Sequence, residues 1–302
     1  MPPPTVTRLR AGQPSATAEI NAQMRAADAT LHPARRLVDD PFAQHFVSNP
    51  RYKLLRLTPR VALFGLRTFD RLFGGLLAEI LLRGRYFEEQ LASAVDRGAR
   101  QVVLVGAGYD STALRHPELG DVHFYEVDHP ATQAVKRSVL SRIGAKVDNI
   151  TFIPVDLQQD SLQDGLKGSG FDSAKPTVLA WLGVSYYLTM ESFERALAGI
   201  FAVCAPGSVL IFDYMDPEVI DGTSGYRGAR RAAQSVRRRN EPYTLGITEQ
   251  QAVDAAKRAG FELVETNRVT DLVRNYGKDN PYCSPDDYMG LVTVRRPGEP
   301  TA

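Results

Sequence analysis

The sequence predicts an α/β protein with a doubly wound, mostly parallel sheet, an antiparallel strand at its end and a cap of helices in front. Three observations carry this reading. Five short apolar runs, at residues 101–105, 123–127, 150–155, 177–182 and 208–214, alternate with helical patterns at 110–115, 130–144, 161–168 and 190–203. Such alternation belongs to βα units around a parallel sheet. The first run passes straight into Gly106, Ala107 and Gly108, where the backbone can turn tightly and leave room for something to approach it. The last two runs, 262–272 and 288–295, have no helical pattern between them and read as an antiparallel hairpin closing the sheet.

Taken in order, residues 1–14 carry three consecutive prolines and no apolar period, so this segment is expected to be mobile. Residues 15–97 form the helical cap. Its helices are expected at 17–31 (after Ser15 as cap), 41–47, 55–82 and 83–96, the last an amphipathic pattern ending near Gly98. Residues 98–302 form the sheet core, interrupted by a polar, basic helical insert at about 217–247 and followed by a helix at 248–259. No repeat or low-complexity linker divides the chain.

Composition excludes several classes of function. Apolar residues are 43% and charged residues 24% of the chain, the balance of a soluble globular protein. A net charge of +1 provides no sequence-wide field to steer nucleic acid. The N-terminus lacks the apolar segment of a secretory signal. The apolar stretches around 61–66 and 73–82 fall well short of the roughly 18 residues that a membrane span needs. Two cysteines, Cys204 and Cys283, and five scattered histidines form neither a disulfide framework nor a metal-ligand spacing. A reduced, cytoplasmic setting without a metal follows from this.

In a doubly wound sheet, ligands bind beyond the carboxyl ends of the strands. Gly106 and Gly108 lie at the first such end, yet the third glycine of a dinucleotide fingerprint is replaced by Ser111, which argues against NAD. Asp128 ends the second strand 22 residues after Gly106. A carboxylate there can accept from both hydroxyls of a ribose, or it can simply cap the helix after Pro130. Asp156 and Leu157 end the third strand, where one can accept from an exocyclic amine and the other can pack on a flat base. Leu182 and Gly183 end the fourth.

The stretches "RGRYFEE", "VVLVGAGYDSTALR", "FYEVDHP", "VDLQQD" and "LGVSYYL", with "LVDDPFAQHF" before them, resemble in order and spacing the leucine carboxyl methyltransferase-like family. Its members are S-adenosyl-L-methionine-dependent O-methyltransferases on a Rossmann-like sheet, among them polyketide-pathway and actinobacterial enzymes. The resemblance covers residues 15–295 and implies S-adenosyl-L-methionine as cofactor, with S-adenosyl-L-homocysteine as product. It implies that Arg83 holds the methionine carboxylate and that Gly106, Ala107 and Gly108 let the methionine portion pass. Asp128 would take the ribose hydroxyls, and Asp156 with Leu157 the adenine. There is one departure: Leu182 stands where many members carry glutamate, although Gly183, Tyr187 and Leu188 keep the pattern.

Methyl transfer from a sulfonium uses an electrophile already activated by the cofactor. The protein mainly aligns an oxygen nucleophile and excludes water, so no single catalytic residue is named. The expected acceptor is a phenolic or carboxylic small molecule under a lid of N-terminal helices. Tyr186, Tyr187, Tyr214 and Tyr243 can stack on a planar partner or belong to the core. Arg227 and its neighbours in the insert can attract an acid or form a solvated face. Two other readings are a catalytically weak S-adenosyl-L-methionine-binding protein, motivated by Leu182, and an NAD-dependent oxidoreductase.

Overall fold

Seven strands form one sheet in a computed structural model that describes residues 15–157, 160–239, 241–277, 282–284 and 286–298. The expectation of a mobile segment at 1–14 lies outside the described residues. The strands are β1 (Gln101–Val105), β2 (His123–Asp128), β3 (Ile150–Pro154), β4 (Thr177–Trp181), β5 (Val209–Met215), β6 (Glu262–Arg268) and β7 (Met289–Arg295), and they lie in the order β3-β2-β1-β4-β5-β7-β6. The pairs β1–β2, β1–β4, β2–β3 and β4–β5 are parallel. The final strand β7 runs antiparallel between β5 and β6, so the closing hairpin adds two strands to one edge. The order reverses direction at β1 and β4, which places the topological switch point between their carboxyl ends.

Alternating side chains serve two cores. Val102 and Leu104 of β1 pack with the N-terminal helices, while Val103 and Val105 face the opposite layer. This is the period-two rule applied to a strand covered on both faces. The helices before the sheet are α1 (Ala16–Ala29), α2 (Pro50–Lys53), α3 (Pro59–Leu72) and α4 (Leu76–Asp96). Ser15 caps α1 by accepting from the Ala18 amide. The far end of α1 is fastened by Asp28, fully buried, which accepts from the Leu37 and Val38 amides at 2.8 and 2.6 Å and from the Tyr282 hydroxyl.

The remaining helices are α5 (Thr112–Arg115), α6 (Pro130–Arg142), α7 (Leu162–Leu166), α8 (Met190–Val203), α9 (Pro217–Asp221), α10 (Arg227–Arg238), α11 (Glu249–Arg258) and α12 (Val269–Leu272). The insert is thus α9 and α10. Its second helix packs Gly228, Ala229, Ala232 and Val236 inward, and a Cβ on Gly228 would meet the Gly74 amide nitrogen at 2.3 Å. Arg227, Arg231, Arg237, Arg238 and Arg239 are exposed, so its arginines form the solvated face.

Helix boundaries depart from the sequence reading in three places. The segment 55–82 is two helices, because Gly75 at φ +82 turns the chain where a Cβ would meet the Asp286 carbonyl oxygen. Arg83 therefore lies inside α4 and not at the start of a helix. Residues 41–47 yield only a 3₁₀ turn, Ala43–Phe46. The run 262–272 bends out of the sheet after Arg268 into α12 and a π turn at Val273–Gly277, so the hairpin does carry helical structure.

Candidate active site

Two cavities meet at the switch point. The first, of about 250 Å³, opens beyond the carboxyl ends of β1, β2 and β4. Every residue proposed from the sequence for the cofactor lines it: Arg83, Gly106, Ala107, Gly108, Asp128, Asp156, Leu157, Leu182 and Gly183. The second, of about 330 Å³, lies between α1, α3, α4 and α10 and is mostly apolar, with Ile20, Met24, Phe64, Phe69 and Leu72 in its walls. Thr17, Asn21 and Ile80 border both.

The floor of the first cavity explains its glycines. Gly106 has φ +70, and a Cβ there would stand 2.3 Å from Val184 Cγ2. Only glycine fits that position without strain. Gly108 follows at φ +52, and its amide donates to Asp128 Oδ2. Asp128 Oδ1 accepts from the His129 amide at 2.6 Å. Burial raises the pKa of Asp128, and the two amides oppose that rise. Each carboxylate oxygen keeps a further lone pair. The Asp128 carboxylate thus ties the end of β2 to the glycine turn. The Asp156 amide donates to Asp160 Oδ2 at 3.0 Å, which shapes the turn after β3.

At the opposite wall Arg83, 8% exposed, is the centre of a buried charge cluster. Its Nη1 donates to Glu79 Oε1 at 2.5 Å, to Asp213 Oδ2 at 3.3 Å and to the Tyr186 hydroxyl at 3.3 Å. Nη2 and Nε make no hydrogen bond among the described residues, and Nη2 lies against Gly183, where a Cβ would approach it to 2.6 Å. Burial works against the charge of the guanidinium, but Glu79, Tyr186 and Asp213 outweigh it and hold the cation. Asp213 has three kinds of donor: the Gly183 amide, Ser185 Oγ at 3.1 Å and Arg83. Gly183, at φ +79, lets the chain leave β4 close enough for that amide to reach β5.

The aromatic candidates separate. Tyr187 lines the first cavity, Tyr186 and Tyr243 the second. Their three rings form one cluster with centroids 5.1–5.4 Å apart. Tyr214 lines neither cavity; its side chain points to the other face of the sheet, where the hydroxyl donates to Glu249 and accepts from Arg268. Arg227 lines neither as well, because the first residue of α10 projects into solvent. The sequence reading missed Glu79, Asp213, Thr17 and Asn21. A charged pair four residues apart in the apolar stretch "LLAEILLR" was the one local signal for Glu79.

Among the described residues no group of histidine, cysteine or acidic side chains could hold a metal ion, and no helix is long and apolar enough to cross a membrane.

Comparison with known proteins agrees with this geometry. The family model of leucine carboxyl methyltransferase matches residues 18–201. YktD of Bacillus subtilis, named as an S-adenosyl-L-methionine-dependent methyltransferase, is 31% identical over 205 residues, covering 66% of this chain and 67% of its own. A Mycobacterium avium protein named in the same way is 32% identical over 226 residues, 68% of each chain. Two solved structures share the fold. One, from Thermobifida fusca and named as a methyltransferase, has a TM-score of 0.58 at 18% identity, covering 98% of this chain and 99% of that one. The other, a DUF574 family protein from Streptomyces avermitilis, has a TM-score of 0.59 at 16% identity, with 90% and 100% covered. The nicotinamide reading is set aside by these matches. The chain belongs to the leucine carboxyl methyltransferase family of S-adenosyl-L-methionine-dependent methyltransferases.

Proposed function

We propose that the protein transfers a methyl group from S-adenosyl-L-methionine to an oxygen atom of a small molecule, with the cofactor in the first cavity and the acceptor in the second. The observation that carries this reading is the seam between them: Arg83 lines the first cavity, its ion-pair partner Glu79 lines the second, and Thr17, Asn21 and Ile80 border both. The residues present suit the cofactor. A guanidinium with an uncommitted edge can grip the methionine carboxylate through two parallel bonds. The glycine turn brings bare backbone to the cavity, and the Asp128 carboxylate has lone pairs for two hydroxyls. Asp156 and Leu157 at the far end suit the amine and the face of a purine.

When bound, the cofactor supplies a methyl group on a positively charged sulfur, already activated for displacement. What the chain adds is alignment. Tyr187 lines the first cavity and Tyr186 and Tyr243 the second, so their ring cluster stands where the two adjoin and can orient an acceptor there. Glu241 fixes α1 over the site by accepting from the Ala16 and Thr17 amides at 3.1 and 3.2 Å.

The test has two steps. Calorimetry should show binding of S-adenosyl-L-homocysteine and none of NAD. Transfer of a labelled methyl group should then be found on a member of a panel of phenols and carboxylic acids with apolar bodies. Absence of S-adenosyl-L-homocysteine binding by folded protein would sink the proposal, as would transfer confined to nitrogen or sulfur acceptors.

A further inference from the structure

We propose that Glu79 is the proton acceptor for the transfer, and that the methyl acceptor is therefore a hydroxyl, phenolic in the first instance, on an apolar body and not a carboxylate. This rests on the two-cavity reading above and adds to it a residue and a choice of substrate class.

Glu79 lies one turn into α4, 1% exposed, in the wall of the apolar cavity. Its Oε1 accepts from Arg83, whereas Oε2 is enclosed by protein and accepts from no donor among the described residues. Buried carboxylate oxygens are normally satisfied, so an unmatched one on a residue of the cavity wall is a place for a further donor. A second orphan shares the cavity. Gln23 donates through Nε2 to the Tyr52 carbonyl at 3.2 Å, which leaves its buried Oε1 unpartnered. Both orphan atoms are acceptors. A ligand that completes this cavity offers hydrogen-bond donors.

Charge points the same way. Glu79 and Asp213 share one guanidinium, so the cluster is a net anion whenever both are ionised. Asp213 keeps its charge more readily because the Gly183 amide and Ser185 hydroxyl reinforce Arg83. Among donors Glu79 has only Arg83, and burial, with the charge of Asp213 and a carboxyl–carboxyl hydrogen bond to it, pushes its carboxyl up to about 7. The other titratable groups that face it are the hydroxyls of Tyr186, Tyr243 and Tyr288, from the loop after β4, the segment after α10 and the approach to β7. None is an anion in the neutral range. A carboxylate acceptor would be buried against an anionic cluster and leave Oε2 unmatched, a costly arrangement. Arg239 at the cavity rim favours an acid, but it is exposed, and exposed charges contribute little. The buried group decides.

In the step itself, the acceptor oxygen forms its bond to the methyl carbon while the carbon–sulfur bond breaks and its electron pair stays on sulfur. The hydroxyl proton passes to Glu79 Oε2. The carboxylic acid so formed later returns the proton to solvent, and a group that titrates near neutrality is well matched to both halves of that cycle.

The test uses the full chain saturated with S-adenosyl-L-homocysteine, and 4-heptylphenol and 4-heptylbenzoate as matched probes. At about pH 8, where the phenol is neutral and the benzoate charged, calorimetry should show the phenol binding at least about tenfold more tightly, since only it can satisfy a buried acceptor. Glu79→Gln should abolish or invert this preference, because the amide oxygen will turn to Arg83 and present its NH₂ to the cavity. With the methyl donor, single-turnover methylation of 4-heptylphenol in the wild type should fall off below about pH 7. In Glu79→Gln the rate should drop about a hundredfold, a general-base effect, and the acid limb should move toward the phenol's own ionisation near about 10. Glu79→Asp should keep the lower limb at a reduced rate. Tighter binding or faster methylation of the benzoate by wild type would overturn the proposal, as would an unchanged limb in Glu79→Gln. Failure of both probes to bind would remove the second cavity as the acceptor site and the proposal with it. Loss of S-adenosyl-L-homocysteine binding by wild type would instead identify the cofactor reading as the error.

Discussion

Replacing Arg83 by lysine keeps the charge and removes the fork. In the wild-type site Nη1 is committed to Glu79, Asp213 and Tyr186, while Nη2 and Nε remain for a ligand in the first cavity. A lysine ammonium is a single point and must choose between the buried carboxylates and the cavity. The carboxylates hold it, because leaving them without a cation is the costlier arrangement. S-adenosyl-L-homocysteine would then lose two charge-assisted hydrogen bonds and regain part of that through residual attraction. The expected loss is about 2–4 kcal/mol, roughly 30- to 1000-fold in Kd. The comparison ligand is 5′-methylthioadenosine, which lacks the methionine carboxylate and should bind the variant within about twofold of wild type. Titration calorimetry of both ligands on both proteins measures the difference directly. Arg83→Met serves as the structural control, since it strands two buried carboxylates and should cost about 3–5 kcal/mol of stability. Equal losses for the two ligands in Arg83→Lys would refute the role assigned to the guanidinium.

Three further outcomes follow from the geometry. Gly106→Ala places a methyl group 2.3 Å from Val184 Cγ2 at φ +70, and the left-handed backbone and overpacking together should cost about 2–4 kcal/mol in urea denaturation. Asp128→Asn should weaken S-adenosyl-L-homocysteine by about 1.5–3 kcal/mol, the scale of a hydrogen bond to a charged group. A calorimetric titration with unchanged affinity would remove Asp128 from the site. The third concerns pH. Glu79 is raised from 4.5 to about 7 in the folded protein, so the native state holds a proton that the unfolded chain has released. Its contribution to stability is fully present below about 4.5 and is lost as pH rises through about 7. Urea titrations at pH 5, 6 and 7 should therefore show wild type losing stability relative to Glu79→Gln as pH increases; parallel curves would contradict it.

The parallel half of the sheet was legible because each of its strands is short, apolar on both faces and closed by a turn signal. From β1 to β5 the read and observed limits differ by a residue or two at most, the uncertainty expected of strand ends. The edge of the sheet was less legible. β6 is exposed over its first four residues, and the valines and leucine at 269–273 look like more strand until Asp271, accepting from the Arg268 amide at 2.9 Å, starts a helical turn. The cap failed at Gly75 for a related reason. Apolar content continues through residues 55–82, and the break is enforced by Asp286, more than two hundred residues away. A contact of that range leaves no trace in a local window. The N-terminal helices expected as a lid are held more permanently than that word implies: Asp28 and Glu241 fasten α1 at both ends.

The two halves of the site differ in the same way. The first cavity is built from strand ends, and a strand end is a local event: an apolar run stops, and a glycine or acid stands where it stops. Eight of the nine residues read there stand at strand ends or in the turns that follow; the ninth, Arg83, lies inside α4 and came from the family resemblance, and all nine line the cavity. The second cavity is built mainly from faces of four helices that come together only through tertiary packing; Tyr186 and Tyr243 were read as candidates there, whereas Gln23 and Glu79 were not. Strand β5 shows how narrow the margin was. In "IFDYM" the aromatic Tyr214 drew the functional reading, while Asp213, one position earlier, is the residue that reaches Arg83. Successive strand side chains point to opposite faces, and only one of these two faces carries the site. Knowing that Arg83 sits on α4, against the face served by Ile211 and Met215, selects Asp213 over its neighbour. The same geometry places Glu79, one turn before Arg83, at the second cavity. A helix that presents an arginine to one cavity and its paired glutamate to the next couples cofactor binding to the acceptor through a shared charge, and that coupling is where substitutions should be felt in both affinities.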